Sequence, residues 1–166
     1  MLGIDPGLSR CGYGVVETDG RRPIAHALGV LRTPPSAPTP KRLAGLQYEI
    51  RSLIQEFSPS VVAIERVFFQ VNANTAIGVA QAAGLAMAEG AAAGAEVVEY
   101  TPNQVKEAVA GWGAAPKDQM IRMVQSLLGL EKPPKPADAA DAIAVALCHL
   151  AHAPSRAAAK AAGVAL

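Results

Sequence analysis

The chain opens on Leu2-Gly3-Ile4-Asp5-Pro6-Gly7 and runs through Leu8-Ser9-Arg10 to Cys11-Gly12-Tyr13-Gly14. A short apolar run ending in one carboxylate, followed at once by a Pro-Gly turn, is the pattern of a buried strand with an acid at its tip. Leu2 and Ile4 place that charge in apolar surroundings, which is costly unless something cationic meets it. Two readings fit Asp5. It caps the turn through local backbone amides, or it is a metal ligand or phosphate-site acid. The second gains weight if other carboxylates occupy equally apolar settings.

Downstream, Tyr13–Thr18 and Ile24–Arg32 read as strands joined at the hairpin signal Asp19-Gly20, so the first three strands form an antiparallel meander. Thr33–Pro40 is a Pro-rich loop, with Thr39 as an N-cap and Pro40 as the first helical residue. Leu43, Leu46, Ile50, Leu53, Ile54 and Phe57 then recur at helical spacing, giving one face that covers a sheet. Val61–Glu65 repeats the opening theme, a buried strand ending on an acid. The Ala- and Gly-rich stretch from about Asn72 to Gly94 reads as a long helix and Glu96–Tyr100 as a strand. Helices start at Thr101-Pro102 and at Pro116, the latter with Ile121, Val124, Leu127 and Leu128 as its stripe. The last helix, Ala137 to about Ala151, is apolar nearly all round.

At 166 residues the chain has room for one well-buried domain, residues 1–153, followed by an Ala-rich tail, 154–166, expected to be flexible. No apolar run reaches membrane-spanning length without Gly or a polar residue, and the N-terminus lacks a signal-peptide layout. Cys11 and Cys148 are too few for a disulfide framework and lack zinc spacing, which points to free thiols in the cytoplasm. A net charge of +1 neither demands nor excludes a polyanionic partner.

Asp5, Glu65, Asp138 and Asp141 stand out for their apolar settings. Asp138 and Asp141 lie three residues apart on one helix face and also resemble a capping box. Four carboxylates drawn together repel one another unless divalent cations neutralise them. An oxygen-only donor set suits Mg²⁺, or Mn²⁺ in its place, rather than zinc. Two such ions, about 3.5–4 Å apart, are the apparatus of phosphodiester hydrolysis. The order of elements fits a ribonuclease-H-like α/β fold, a mixed five-stranded sheet with helices on both faces.

The opening stretch from Leu2 to Gly14, Ala63–Phe69 and Ala137–Ala146 resemble the three acidic motifs of the RuvC family of bacterial Holliday junction resolvases. Thr101–Lys106 and Val109–Lys117 match in order and spacing, and the resemblance runs from Leu2 to about His152, although Trp112 is bulkier than expected at its place. It implies a homodimer that makes paired, Mg²⁺-dependent nicks in a four-way DNA junction beside a branch-migration complex, RuvA and RuvB. It also implies that Asp5, Glu65, Asp138 and Asp141 hold metal, and that Lys106 and Lys117 stand near the scissile phosphate. Phe68 is the aromatic that stacks on bases, with Phe69, Asn72 and Asn74 as companions. Arg10 and Arg66, like Lys41 and Arg42, are weaker DNA-contacting candidates, and His26, His149 and His152 are assigned no catalysis.

Three other readings compete. Actin-like and sugar-kinase ATPases share the strand-Asp-x-Gly opening but need two lobes. A non-catalytic junction-binding module has no need of four acids. A ribonuclease-H-like enzyme acting on RNA shares the metal chemistry and is disfavoured by the longer motif match alone. For the dimer, Ala76, Ala80, Gly84 and Ala88 form a small-residue ridge along the long helix. That ridge suits either a second copy or the chain's own sheet.

Overall fold

Strands that alternate between two apolar faces need cover on both sides, and this chain supplies it. The computed structural model describes residues 1–20, 22–67 and 73–163, without the side chains of residues 73–75 and 160. Among them, β1 (Leu2–Asp5), β2 (Arg10–Glu17), β3 (Ile24–Arg32), β4 (Val61–Glu65) and β5 (Glu96–Tyr100) form one sheet in the order β3-β2-β1-β4-β5. The meander β1-β2-β3 is antiparallel, while β4 and β5 run parallel to β1. This is the mixed five-stranded arrangement expected from the sequence.

Period-two alternation sends Leu2, Ile4, Cys11, Val15, Val62 and Ile64 to one face, where α1 (Thr39–Phe57) and α2 (Ala73–Ala92) cover them. Leu46, Ile50 and Ile54 of α1 and Ala82, Ala83 and Ala86 of α2 complete that layer. The two helices are also fastened by a nearly buried charge. Arg51 donates to both oxygens of Glu89 at 2.8 Å, and Gln47 adds a bond at 2.6 Å. The charged pair holds Glu89 below its usual carboxylate range. The sequence reading passed over this contact, because Glu89 sits in a run of Ala and Gly that hides it.

The opposite face carries α3 (Pro102–Ala110), α4 (Lys117–Leu128) and α5 (Ala137–Ala161). Apart from Asp141, residues 139–149 of α5 are buried, so this helix is the centre of the second layer, with Val105, Val109, Met120, Val124 and Leu128 packed around it. What allows α5 to lie so close is glycine. A Cβ at Gly3 would stand 2.2 Å from the carbonyl oxygen of Ala142, and one at Gly12 would stand 2.1 Å from that of Asp138. At Gly14 it would meet the Ile143 side chain at 2.4 Å. The helix therefore rests on bare strand backbone.

Several boundaries differ from the sequence reading. β2 begins at Arg10 rather than Tyr13, because Gly12 pairs with both Asp5 and Val30 although glycine carries little strand propensity. Thr39 is inside α1, whose cap is Pro38: the amides of Lys41 and Arg42 both donate to the Pro38 carbonyl. Thr101 does cap α3, in a reciprocal capping box with Gln104. The buried stripe of α4 is Met120, Val124 and Leu128, leaving Leu127 exposed. α5 continues through Pro154 to Ala161, ten residues beyond its expected end, the difference between 161 and 151. Alanine is the best helix former, and Arg156 bonds Glu96 of β5 at 2.7 Å, which ties the extension to the sheet.

The packing predicts unequal costs for two alanine substitutions. Gly12→Ala should push the first turn of α5 off β2 and destabilise the protein by about 1–3 kcal/mol. Gly45→Ala, in α1 with nothing within 4 Å of its new methyl, should be neutral or stabilise by up to about 1 kcal/mol. Denaturant melts of the two variants check this, and equal midpoints would remove Gly12 as the contact point.

Candidate active site

Parallel pairing sets Leu2 beside Val62 and Ile4 beside Ile64, and the same offset brings Asp5 beside Glu65 at the carboxyl ends of β1 and β4. Alternation turns both acids toward α5. The start of α5 lies over these strand ends, held down by the Gly12 contact, and presents Asp138 and Asp141 from one helix face. Two lysines arrive from the neighbouring helices, Lys106 from α3 and Lys117 from the first residue of α4. Asp5, Glu65, Asp141, Lys106 and Lys117 line one cleft of about 320 Å³, floored by Val105, Met120 and Ala144.

The cleft is hostile to bare negative charge. Burial first, and then the carboxylates of Glu65, Asp141 and Asp138, push Asp5 up to about 7. Burial and Asp141 raise Glu65 in the same way, with Lys106 and Lys117 pulling it back. Lys117 donates to Asp141 Oδ2 at 2.8 Å, and that bond raises the ammonium's pKa. Asp138 behaves differently. Arg10, at the head of β2, places both Nε and Nη2 on Asp138 Oδ2, and this pairing holds Asp138 below its usual range. The first amides of α5, at Ala139 and Ala140, donate to the Pro136 carbonyl. Both aspartates therefore spend their oxygens on cations rather than on a capping box.

The other sequence-predicted residues fall elsewhere. Arg66 follows the end of β4, its amide bonded to Tyr100 O and its guanidinium 3.9 Å from Glu99, away from the cleft. Arg42 is spent internally on Thr33 Oγ1 at 2.9 Å and Ser9 Oγ at 2.6 Å, while Lys41 is exposed. Phe68, Phe69 and Asn72 lie outside the described residues, as does the side chain of Asn74 in α2. His26 bonds Glu17, His149 bonds the Tyr100 hydroxyl at 3.0 Å, and His152 lies against Cys148, none of them in the cleft. Trp112 is half exposed and reaches Gln119 at 3.4 Å. What the sequence reading missed was the glycine row Gly3, Gly12 and Gly14, whose signal was glycine at alternate strand positions.

The donor set tests what the cleft can hold. Four carboxylates, with no sulfur or imidazole among them, fit a hard divalent cation. Among the described residues no three such side chains already converge on one point, and Arg10 and Lys117 engage Asp138 and Asp141. The donors fit an ion that displaces those two cations, and the raised Asp5 and Glu65 are the groups it would most relieve.

Comparison with known proteins agrees with this geometry. A family model described as "Crossover junction endodeoxyribonuclease RuvC" matches residues 1–149. A crossover junction endodeoxyribonuclease RuvC of Moorella thermoacetica is 48% identical over 156 residues, covering 94% of this chain and 93% of its own length. The RuvC structure of Thermus thermophilus superposes with a TM-score of 0.87 at 35% identity, covering 94% of this chain and 97% of that one. The same protein in complex with a Holliday junction substrate gives 0.88 at 35% identity, over 93% and 94%. A glycine-seated helix that brings two acids over two strand-end acids, within a match of this extent, places the chain in the RuvC family of crossover junction endodeoxyribonucleases.

Proposed function

We propose that this chain resolves four-way DNA junctions by metal-dependent nicks in two strands of like polarity, with Asp5, Glu65, Asp138 and Asp141 as the metal-holding acids. The observation that carries the reading is the convergence of Asp5, Glu65 and Asp141 with Lys106 and Lys117 on one cleft. Mg²⁺, two ions per site, is the cofactor this donor set suits best, with Mn²⁺ able to substitute. When bound, such ions supply a water acidic enough to attack at neutral pH and charge to meet the leaving oxygen.

The remaining chemistry belongs to the chain. Lys106 and Lys117 stand on the α3–α4 side of the acids, placed to meet the non-bridging oxygens of a phosphate laid across the cleft. Lys117 also orients Asp141 through its 2.8 Å bond. Buried strand ends fix Asp5 and Glu65, so their positions need little reorganisation during reaction. Phe68 remains our candidate for stacking on junction bases, with Phe69, Asn72 and Asn74 as further DNA-contacting candidates and Arg66 as a weaker one.

Paired nicks need two sites, so we assign a two-fold homodimer. The exposure of α2 supports a second copy on its outer face. Ala82, Ala83, Ala86 and Gly90 turn inward, whereas Gly84 and Ala88 are exposed, as is Ile77 at 57%. A Cβ at Gly84 would meet nothing within 4 Å, so the chain's own sheet does not use that part of the ridge. No helix among the described residues is long and apolar enough to cross a membrane. We place the activity in the cytoplasm, beside the branch-migration partners RuvA and RuvB.

Amide substitution tests the assignment of the acids. Asp5→Asn, Glu65→Gln, Asp138→Asn and Asp141→Asn should each abolish cleavage of a synthetic four-way junction while leaving its binding largely intact. Retained nicking by any one variant would remove that residue from the site, and equal cleavage of a matched duplex or an RNA–DNA hybrid would overturn the substrate assignment. Lys106→Ala and Lys117→Ala should slow single-turnover cleavage by about 10²-fold with the fold preserved. Wild-type rates would make them ordinary surface lysines.

A pH prediction follows from Asp5. Its folded pKa, about 7 against the ordinary 3.8, is raised, so its contribution to stability is fully present below about pH 4 and is lost as pH rises through 7. Asp138, held low by Arg10, works in the opposite sense, and its stabilisation is lost only as pH falls below the ordinary carboxylate range. Without metal, the wild type should therefore lose on the order of a few kcal/mol relative to Asp5→Asn between pH 4 and 7.5. Added Mg²⁺ should reduce that difference. Parallel thermal melts at both pH values check it, and a pH-independent difference would deny Asp5 its raised pKa.

A further inference from the structure

Arg10 stands apart from the other basic residues because it has two claims on it. Its Nε and Nη2 both meet Oδ2 of Asp138, an acid outside the cleft lining whose charge still reaches Asp5, yet the Arg10 side chain is 41% exposed and that of Asp138 27%. An ion pair so open to water is held weakly. Directly opposite Arg10 across the β2–β3 pair is Arg32. Like charges in facing positions of an antiparallel pair are unfavourable and share one face of the sheet. Arg32 is exposed, and among the described residues no carboxylate pairs with it.

The backbone beneath these two guanidiniums is fixed. Thr33, next to Arg32, donates its hydroxyl to Leu8 O at 2.6 Å and its amide to Ser9 O at 3.3 Å. Arg42 clamps Thr33 Oγ1 and Ser9 Oγ together. Arg10 can thus leave Asp138 by side-chain rotation alone. The Gly12 contact meanwhile keeps the start of α5 within reach of Arg10, so the pair is built by packing.

We propose that Arg10 is an exchangeable counter-ion. It neutralises Asp138 while the cleft lacks metal, and it passes to a DNA phosphate beside Arg32 when a divalent cation takes that carboxylate. The charge count favours this order. A cation arriving at Asp138 makes Arg10 surplus, and Arg10 and Arg32 then form an adjacent pair of uncompensated positive charges on the β3 side of the cleft. Such a pair is suited to the backbone of a strand whose scissile phosphate lies toward Lys106 and Lys117. Arg10 and Arg32 are positioning residues in this scheme, and the proposal rests on the metal-dependent nuclease reading above.

Two measurements on the full chain test it without relying on cleavage. In the first, Mn²⁺ is titrated into the DNA-free protein and free ion is followed by electron paramagnetic resonance. Arg10→Gln should bind about two- to fivefold more tightly than wild type, the range for losing an exposed pair. Arg32→Gln, which removes equal charge but no contact with Asp138, should change affinity less. Equal tightening in both variants, or none in Arg10→Gln, overturns the exchange. No Mn²⁺ binding by wild type overturns the metal reading and the exchange with it.

In the second, four-way junction binding is measured by fluorescence anisotropy across a salt series, with Ca²⁺ and with EDTA. Arg32→Gln should reduce the slope of log K against log salt by about one in both conditions. Arg10→Gln should reduce it by about one only with Ca²⁺. A reduction by Arg10→Gln that is the same in EDTA makes Arg10 a constitutive DNA contact and overturns the exchange. Should Arg10→Gln fail to fold, Arg10→Lys is read in both assays and is expected to fall between wild type and the values predicted for Arg10→Gln.

Discussion

The contact between α5 and bare strand backbone governs this structure. Of the three strand glycines beneath α5, two face helix carbonyl oxygens at distances no Cβ can share, and one faces the Ile143 side chain. A helix normally rides on a layer of side chains about 10 Å above a sheet. Here that layer is missing along Gly3, Gly12 and Gly14. The start of α5 comes to rest directly on the strand backbone as a result, which puts Asp138 and Asp141 near acids that are part of the strands. The remaining helices on this face then have to cover α5 rather than the sheet. That is why residues 142–149 of α5 are buried without a break while α3 and α4 bury single stripes.

Sinking a helix that carries two aspartates onto two further carboxylates has an electrostatic cost, and the chain answers it unevenly. Asp138 and Asp141 have cationic partners in hand, Arg10 from β2 and Lys117 from α4. Asp5 and Glu65 are deeper and have only longer-range help, so burial sets their pKa upward. The division follows depth: side chains at the rim can recruit exposed cations, whereas strand ends beneath the helix cannot. The deep pair gains most from a small multivalent ion, since among the described residues no ion pair reaches either carboxylate. The electrostatic cost is therefore met by ion pairs at Asp138 and Asp141 and left standing at Asp5 and Glu65.

Much of this was legible in the residues. Leu2, Ile4, Val62 and Ile64 are apolar neighbours that make a strand-end acid conspicuous, and the sheet order follows from a hairpin signal and two helical crossovers. The Asp138–Asp141 spacing placed both acids on one face. Element ends were less legible, because they depend on tertiary contacts. β2 reaches back to Arg10 since two strands flank it, and α5 runs past Pro154 since Arg156 finds Glu96. The Arg10–Asp138 pair spans 128 residues of sequence, and nothing local to either residue announces it. Glycines at alternate strand positions were visible, but their meaning required knowing which element lay above them.

The two faces of the sheet show how the same residue type serves opposite ends. On the α5 face, glycine in the strands lets a helix approach. On the other face, glycine and alanine in the helix let α2 approach: a Cβ at Gly90 would sit 3.0 Å from Val62 Cγ2, and Ala82 and Ala86 are fully buried. The strands there keep their bulky Leu2, Ile4, Val62 and Ile64, so the helix must be thin where the sheet is thick. Helical spacing then places a second set of small residues, including Gly84 and Ala88, on the exposed outer side of α2, where among the described residues a Cβ at Gly84 would meet nothing within 4 Å. Composition alone could not separate the two sets, since both are runs of Ala and Gly. Only the direction of Val62 and Val97 beneath Gly90 tells which set the fold consumes and which stays exposed.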